Sequence, residues 1–245
     1  MLILLVSMTW GCNWALWLMN DLTEEDPPAI SSTPSPSPSP LPAEGSFLFS
    51  GDISDSSGNE HSATAVDITF ITDRFGRPEN AASFNGTTSL VNTTIRLNTV
   101  KSFSLSTWIR QNDIRSDDTF LGTSSVNYTG FWCQITNENI RYFNVSEQIY
   151  YDASISQGTW HHIVFVHDSE ASSLELYIDN SLAIIKERYA YTPDQNGTLH
   201  IGAAGSAGSG TPVFDGAIDD VCVFLYPLSP QDIDQLYHEQ TSINR

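Results

Sequence analysis

The stretch Phe214 to His238, FDGAIDDVCVFLYPLSPQDIDQLYH, constrains the fold more than any other part of this chain. It reads as a β-strand opened by two carboxylates, then a Pro-punctuated turn, then a short helix. From Ile218 to Leu225 the residues alternate with the strand period of two. That period puts Asp219, Val221, Val223 and Leu225 on one face, and Ile218, Asp220, Cys222 and Phe224 on the other. If the Val face is the core face, Asp219 points the same way. An ionised carboxylate at a core edge needs a cation or hydrogen-bond donors. Asp219 is therefore the leading candidate for a functional or metal-ligating side chain. The helix is expected over Pro230–Glu239, with Ser229 as N-cap, Pro230 at the first position and Asp232 in the first turn. Ile233, Leu236 and Tyr237 give it one apolar face.

Upstream, short apolar runs alternate with Gly, Asn, Asp and Ser turns, the pattern of an antiparallel sandwich or jelly roll. Strands are expected at Phe47–Ser50, Ala82–Asn85, Ser102–Gln111, Thr119–Gly122, Gly130–Thr136, Ile140–Asn144, Thr159–His167, Ser173–Asp179, Leu182–Glu187, Leu199–Gly202 and Ala217–Leu225. Phe103, Leu105, Thr107 and Ile109 alternate with Ser104, Ser106, Trp108 and Arg110. Ile163 to Val166 is apolar on both faces, which predicts a central strand with cover on each side.

The first residues differ in kind. Residues 1–19 are apolar and uncharged, as in a signal peptide or membrane anchor. Cys12, after Thr9-Trp10-Gly11, loosely fits a lipoprotein processing site. Residues 20–44 form a Pro/Ser-rich linker that can be neither helix nor ladder. A tether between an apolar start and a domain at 45–240 points to export, to the extracellular space or a cell surface. The 245-residue chain has 10 Lys+Arg against 29 Asp+Glu, a net charge of −19. That field disfavours nucleic acid and anionic membrane surfaces, and it is compatible with divalent cations and neutral glycans. Cys133 and Cys222 each fall inside a strand. They are candidates for a disulfide in an oxidising compartment, and equally for isolated buried thiols.

Several blocks occur together in order: Phe49-Ser50-Gly51-Asp52 with Asp55-Ser56-Ser57-Gly58-Asn59; Asp73-Arg74-Phe75-Gly76; Ala82-Ser83-Phe84-Asn85-Gly86; Phe103 to Arg110; Gly158 to Val166 (GTWHHIVFV); Leu174 to Asn180; Leu199-His200-Ile201-Gly202; and the C-terminal FDGAIDDV with PLSPQDI. From about Ser46 to Gln240 this resembles the laminin-G-like (LamG-like) jelly-roll domain of the concanavalin A-like lectin/glucanase superfamily. The resemblance implies an all-β, two-sheet antiparallel jelly-roll sandwich with a short C-terminal helix. It departs from the usual pattern at Cys222 to Leu225.

The loop Asp52–Asn59 is rich in oxygen donors and Gly bends, which suits Ca²⁺. The resemblance implies that this loop and the Asp opening the last long strand share one structural calcium, with Asp55, Asn59 and Asp219 as ligands and Asp52 as an addition. An Asx-turn loop with a hydrogen-bonded Asp219 explains the same residues. His161 and His162 are adjacent on a strand and point to opposite faces, so they do not chelate together. No Ser–His–Asp set stands out. The superfamily also holds retaining glycosidases, which need two carboxylates about 5 Å apart; no Glu-x-Asp-x-x-Glu run occurs. Tyr128, Phe131 and Trp132, and Tyr150, Tyr151, Tyr189 and Tyr191, are candidates for stacking on sugar rings. Asn85, Asn92, Asn127, Asn144 and Asn196 each open an Asn-x-Ser/Thr triplet. The expected function is a non-catalytic recognition or adhesion module that binds a glycan or a surface protein. The alternatives are a structural cell-envelope component without a glycan ligand and a carbohydrate-active hydrolase.

Overall fold

A computed structural model describes residues 39–113, 117–123, 130–144, 148–191, 197–205 and 213–242, with backbone alone at 148–153 and 239–242. The apolar start, Cys12, most of the linker, Tyr128, Asn127 and Asn196 lie outside these residues. The strands are β1 (Gly45–Phe47), β2 (Ala63–Val66), β3 (Thr69–Ile71), β4 (Ala81–Asn85), β5 (Leu90–Thr93), β6 (Phe103–Gln111), β7 (Asp118–Thr123) and β8 (Phe131–Thr136). They continue with β9 (Asn139–Asn144), β10 (Gln148–Ser154), β11 (His161–Asp168), β12 (Ser173–Ile178), β13 (Ser181–Glu187), β14 (Leu199–Ile201) and β15 (Asp215–Phe224), followed by the helix α1 (Pro230–Ser242).

Two antiparallel sheets form, as expected of a jelly roll. The eight-stranded sheet A runs β13-β12-β11-β6-β15-β4-β3, with β1 also paired to β15. The seven-stranded sheet B runs β10-β9-β8-β7-β14-β5-β2. Side chains of period two from both sheets meet between them. Phe103, Leu105, Ile109, Ile163 and Phe165 from sheet A pack with Leu121, Phe131, Cys133, Ile135, Ile140 and Tyr142 from sheet B. The expected double cover of β11 is present. Its other face sends Val164 and Val166 into a second cluster with Tyr177, Cys222, Phe224, Leu228, Ile233 and Leu236, so α1 roofs sheet A. The Ser229 cap forms as anticipated: Asp232 N–H donates to Ser229 Oγ and Ser229 N–H donates to Asp232 Oδ2.

The strands β2, β3, β5 and β10 are absent from the sequence reading. The first three have only three or four residues, too short for a readable period. Residues before 45 also pack on the domain. Leu41 and Ala43 pack on the outer cluster, and Gln235 Nε2 donates to Ser39 O at 2.8 Å. Gly202 has φ +84°, and a Cβ there would overlap the Phe84 ring. That close approach couples the Leu199–Gly202 block to the Ala82–Gly86 block.

Two expectations are corrected. The strict alternation along β15 fails, because its pairing with β6 slips between Asp219 and Cys222. Asp219 faces Trp108, and Cys222 faces Ser106, so three steps on β15 match two on β6. This bulge, with Asp220 at φ +50°, reverses the parity. Ile218, Val221 and Val223 face the inter-sheet core, while Cys222 and Phe224 lie beneath α1. Asp219 therefore does not share the face of Val221 and Val223. The second correction concerns the thiols. Cys133 and Cys222 are free and buried, one between the sheets and one on the outer side of sheet A. Sheet A separates them, so they do not pair.

Two buried imidazoles give the fold a pH dependence. Burial, helped by the Arg74 charge, pulls His162 down to about 3, and burial pulls His167 down to about 4. The unfolded chain therefore takes up protons first as pH falls below the ordinary value of 6.5. Stability should drop below that pH by up to about 1.4 kcal/mol per pH unit for each ring. His162→Gln, followed by denaturant melts from pH 7 to pH 4, should show a shallower loss than wild type. An unchanged slope would contradict a neutral buried His162.

Candidate functional site

The turn Asp73-Arg74-Phe75-Gly76 closes on its own carboxylate. Asp73 Oδ1 accepts from the N–H groups of Phe75 and Arg77, and Oδ2 accepts from Arg77 Nε at 2.7 Å. The turn delivers Arg74 onto the outer face of sheet A. Its Nη1 reaches Asp219 Oδ2 at 2.5 Å and its Nη2 reaches Asp220 Oδ2 at 2.7 Å. Both carboxylates are fully buried. Burial lowers Arg74 to about 10, against the stabilising charge of Asp219, so the guanidinium stays protonated at neutral pH. It also lies 4.4 Å from the Trp108 ring, which stacks on His162 and on Tyr237 of α1. Arg74 thus supplies the counter-charge that the sequence demands for Asp219. Its signal was present in the Asp73-Arg74-Phe75-Gly76 block, but nothing local tied that block to Asp219, 145 residues away.

Asp55 and Asn59 serve a different contact. Asp55 Oδ1 accepts from Ser46 N–H and Ser57 N–H, and its Oδ2 accepts from Ser57 Oγ and His61 N–H. Burial alone would raise the Asp55 carboxyl; these donors outweigh it and hold it below the usual carboxylate range. Asn59 Nδ2 donates to the carbonyls of Ala43 and Glu44. The loop therefore pins β1 by direct hydrogen bonds. Asp55, Asn59 and Asp219 do not fit one shared calcium in this geometry, because Asp219 faces a guanidinium and Asp55 faces four donors. Among the described residues, no three His, Cys, Asp or Glu side chains are grouped to hold a metal.

His161 and His162 point apart, as the strand period requires. His162 Nε2 lies 2.8 Å from Ser106 Oγ inside the stack. His161 completes a Ser–His–Asp contact that the sequence reading missed: Nε2 is 3.1 Å from Ser156 Oγ, and Nδ1 is 2.7 Å from Asp179 Oδ2. However, the Ser156 N–H donates to the same Nε2, also at 3.1 Å. Its single lone pair is taken, and Asp179 Oδ1 accepts from His162 N–H as well. The group is a brace joining a turn to the β12–β13 hairpin.

The outer face of sheet B is built differently. Alternation places Trp132, Gln134, Arg141 and Phe143 outward, opposite Phe131, Cys133, Ile135, Ile140 and Tyr142. Trp132 and Phe143 are cross-strand partners, with ring centroids 5.0 Å apart and planes 20° apart. The Arg141 guanidinium lies 5.0 Å from the Phe143 ring and is paired with Asp117 at 3.0 Å. Gly122 faces Trp132, and a Cβ there would sit 3.2 Å from Trp132 Cδ1, so glycine leaves the indole its place. Gln134 Nε2 donates to Thr119 Oγ1, while Gln134 Oε1 is buried without a partner among the described residues. Farther across, His200 Nδ1 lies 2.6 Å from Asn92 Oδ1. Trp132, Phe143, Arg141, His200 and Asn92 are all partly exposed. Of the aromatics considered from sequence whose side chains are described, Trp132 stands on this platform, and Phe131 and Tyr189 are buried. Phe143 and Arg141 were missed, although the period of two across residues 140–144 carries them.

The family model for the concanavalin A-like lectin/glucanases superfamily (laminin G type) matches residues 85–234. The chain belongs to this superfamily. No curated protein matches it. Similar structures include domain 4 of AbnA, a GH43 extracellular arabinanase from Geobacillus stearothermophilus, in complex with arabinotriose. It has a TM-score of 0.63 at 20% identity, covering 80% of this chain and 98% of that one. The botulinum neurotoxin serotype D ligand binding domain in complex with N-acetylneuraminic acid has a TM-score of 0.64 at 18% identity, covering 81% and 51%. The chain spans about half of that neurotoxin domain. At these identities the likeness establishes the superfamily fold. Among the described residues, no helix is long and apolar enough to cross a membrane.

Removing the counter-charge should be costly. Arg74→Met takes the guanidinium away from two buried carboxylates, and a loss of about 3–5 kcal/mol is expected in denaturant melts. Melting in EDTA and in millimolar Ca²⁺ should give the same Tm for wild type. A rise of several degrees in Ca²⁺ that vanishes in Asp219→Asn would establish the shared calcium instead.

Proposed function

We propose that this superfamily member is a non-catalytic recognition module that binds carbohydrate on the outer face of sheet B, in the extracellular space or at a cell surface. One observation carries the reading. Of the two outer faces, sheet A is roofed by α1, whereas sheet B presents the Trp132–Phe143 pair among hydrogen-bonding side chains. Aromatic rings stack on the apolar faces of sugars, and neighbouring amides, imidazoles and hydroxyls pair with sugar hydroxyls. The arabinotriose and N-acetylneuraminic acid complexes of similar folds support a glycan as the ligand. A non-catalytic role fits the side chains of this face. Hydrolysis requires two positioned carboxylates, and among the described residues a carboxylate at its edge, Asp117, is held by Arg141 and Thr136.

A glycan array probed with the purified full chain tests the reading. Wild type should give specific hits. Trp132→Ala and Phe143→Ala should each weaken them by about tenfold or more, for a loss of roughly 1–2 kcal/mol, with Tm nearly unchanged. No hits at all would favour an envelope component without a glycan ligand. Product formation abolished by replacing a single Asp or Glu would overturn the non-catalytic reading.

A further inference from the structure

We infer that the sheet B platform selects neutral oligosaccharides and rejects anionic ones such as sialylated or sulfated glycans. The inference rests on the proposed glycan reading and deepens it. Arg141 is the only Lys or Arg in the seven strands of the sheet. That single cation is committed twice, to Asp117 at 3.0 Å and to the face of Phe143. Asp117 is itself fixed by Thr136 Oγ1, also at 3.0 Å, so the pair is held from both sides. A carboxylate or sulfate arriving here would have to displace Asp117 to gain a guanidinium. It would also approach a chain whose net charge is −19. The remaining polar groups bring no further Lys or Arg: Asn92 and His200 pair at the partly exposed surface, whereas Gln134 and Thr119 pair below it and are buried. The side chains of Asn92 and His200 can pair with sugar hydroxyls and bring no fixed positive charge to a carboxylate or sulfate. The platform therefore offers ring stacking and neutral hydrogen bonds, with no free cation in its strands.

The test compares neutral pentose and hexose oligosaccharides with sialylated and sulfated ones, using the full chain in titrations at 50 and 500 mM NaCl. Neutral ligands should bind with affinities that change less than about twofold with salt, and Trp132→Ala should weaken them about tenfold or more. Asp117→Asn removes the charge that neutralises Arg141, so it should create measurable, salt-sensitive binding of anionic glycans that wild type lacks. Wild-type binding of anionic glycans that weakens with salt and depends on Arg141 would overturn the inference while leaving the glycan reading intact. Neutral binding indifferent to Trp132→Ala would also overturn it, by placing the sugar elsewhere. Silence toward every glycan would remove the underlying reading with it.

Discussion

The contact between Arg74 and the Asp219–Asp220 pair organises sheet A. β15 sits between β6 and β4 and also carries β1, so distortion of its middle reaches three other strands. On a regular strand Asp219 and Asp220 would diverge. The bulge turns both toward one guanidinium, at the cost of a left-handed backbone at Asp220 that Asp tolerates better than most residues. A buried ion group of this kind adds little to stability by comparison with apolar packing, but it cannot be half-removed. Its geometric effect is larger. Arg74 also braces Trp108, and Trp108 in turn carries His162 and Tyr237. The ion pair, the turn that presents the arginine and the seat of α1 are thus one assembly.

That assembly divides labour between the two sheets. The side chains of β6, β11 and β15 that point away from the inter-sheet core would be an exposed apolar surface without the helix. Val164, Val166, Cys222 and Phe224 instead meet Ile233 and Leu236. Sheet B has no such run. Among the described residues, that face leaves Trp132, Phe143, Arg141, Asn92 and His200 partly exposed. The division follows from composition strand by strand.

The alternating sandwich was legible in the sequence, down to the double cover of β11 and the capped helix. The period of two is local and strong in long strands. The bulge was not legible, because Ile218 to Leu225 alternates without interruption and the slip arises from pairing with β6. Arg74 was quoted as part of a family block, yet its role depends on a contact made only in the folded chain. Asp219 was singled out as a buried carboxylate in need of a partner, and Arg74 is such a partner. The platform was half legible: Trp132 was noticed as an aromatic near a loop, while Phe143 and Arg141 lay on a neighbouring strand whose register no sequence pattern fixes.

The chain enters this domain and finishes it in the same neighbourhood, since Ser39 meets Gln235 and Glu44 N–H bonds to Val223 O on the helix side. This has a mechanical consequence. Tension applied at Ser39 would load the Ser39–Gln235 contact, then the Glu44–Val223 hydrogen bond and the three-residue pairing of β1 with β15. β1 would peel before the long ladders of β6, β11 and β15 were strained. The domain would lengthen at its entry while sheet B kept its shape.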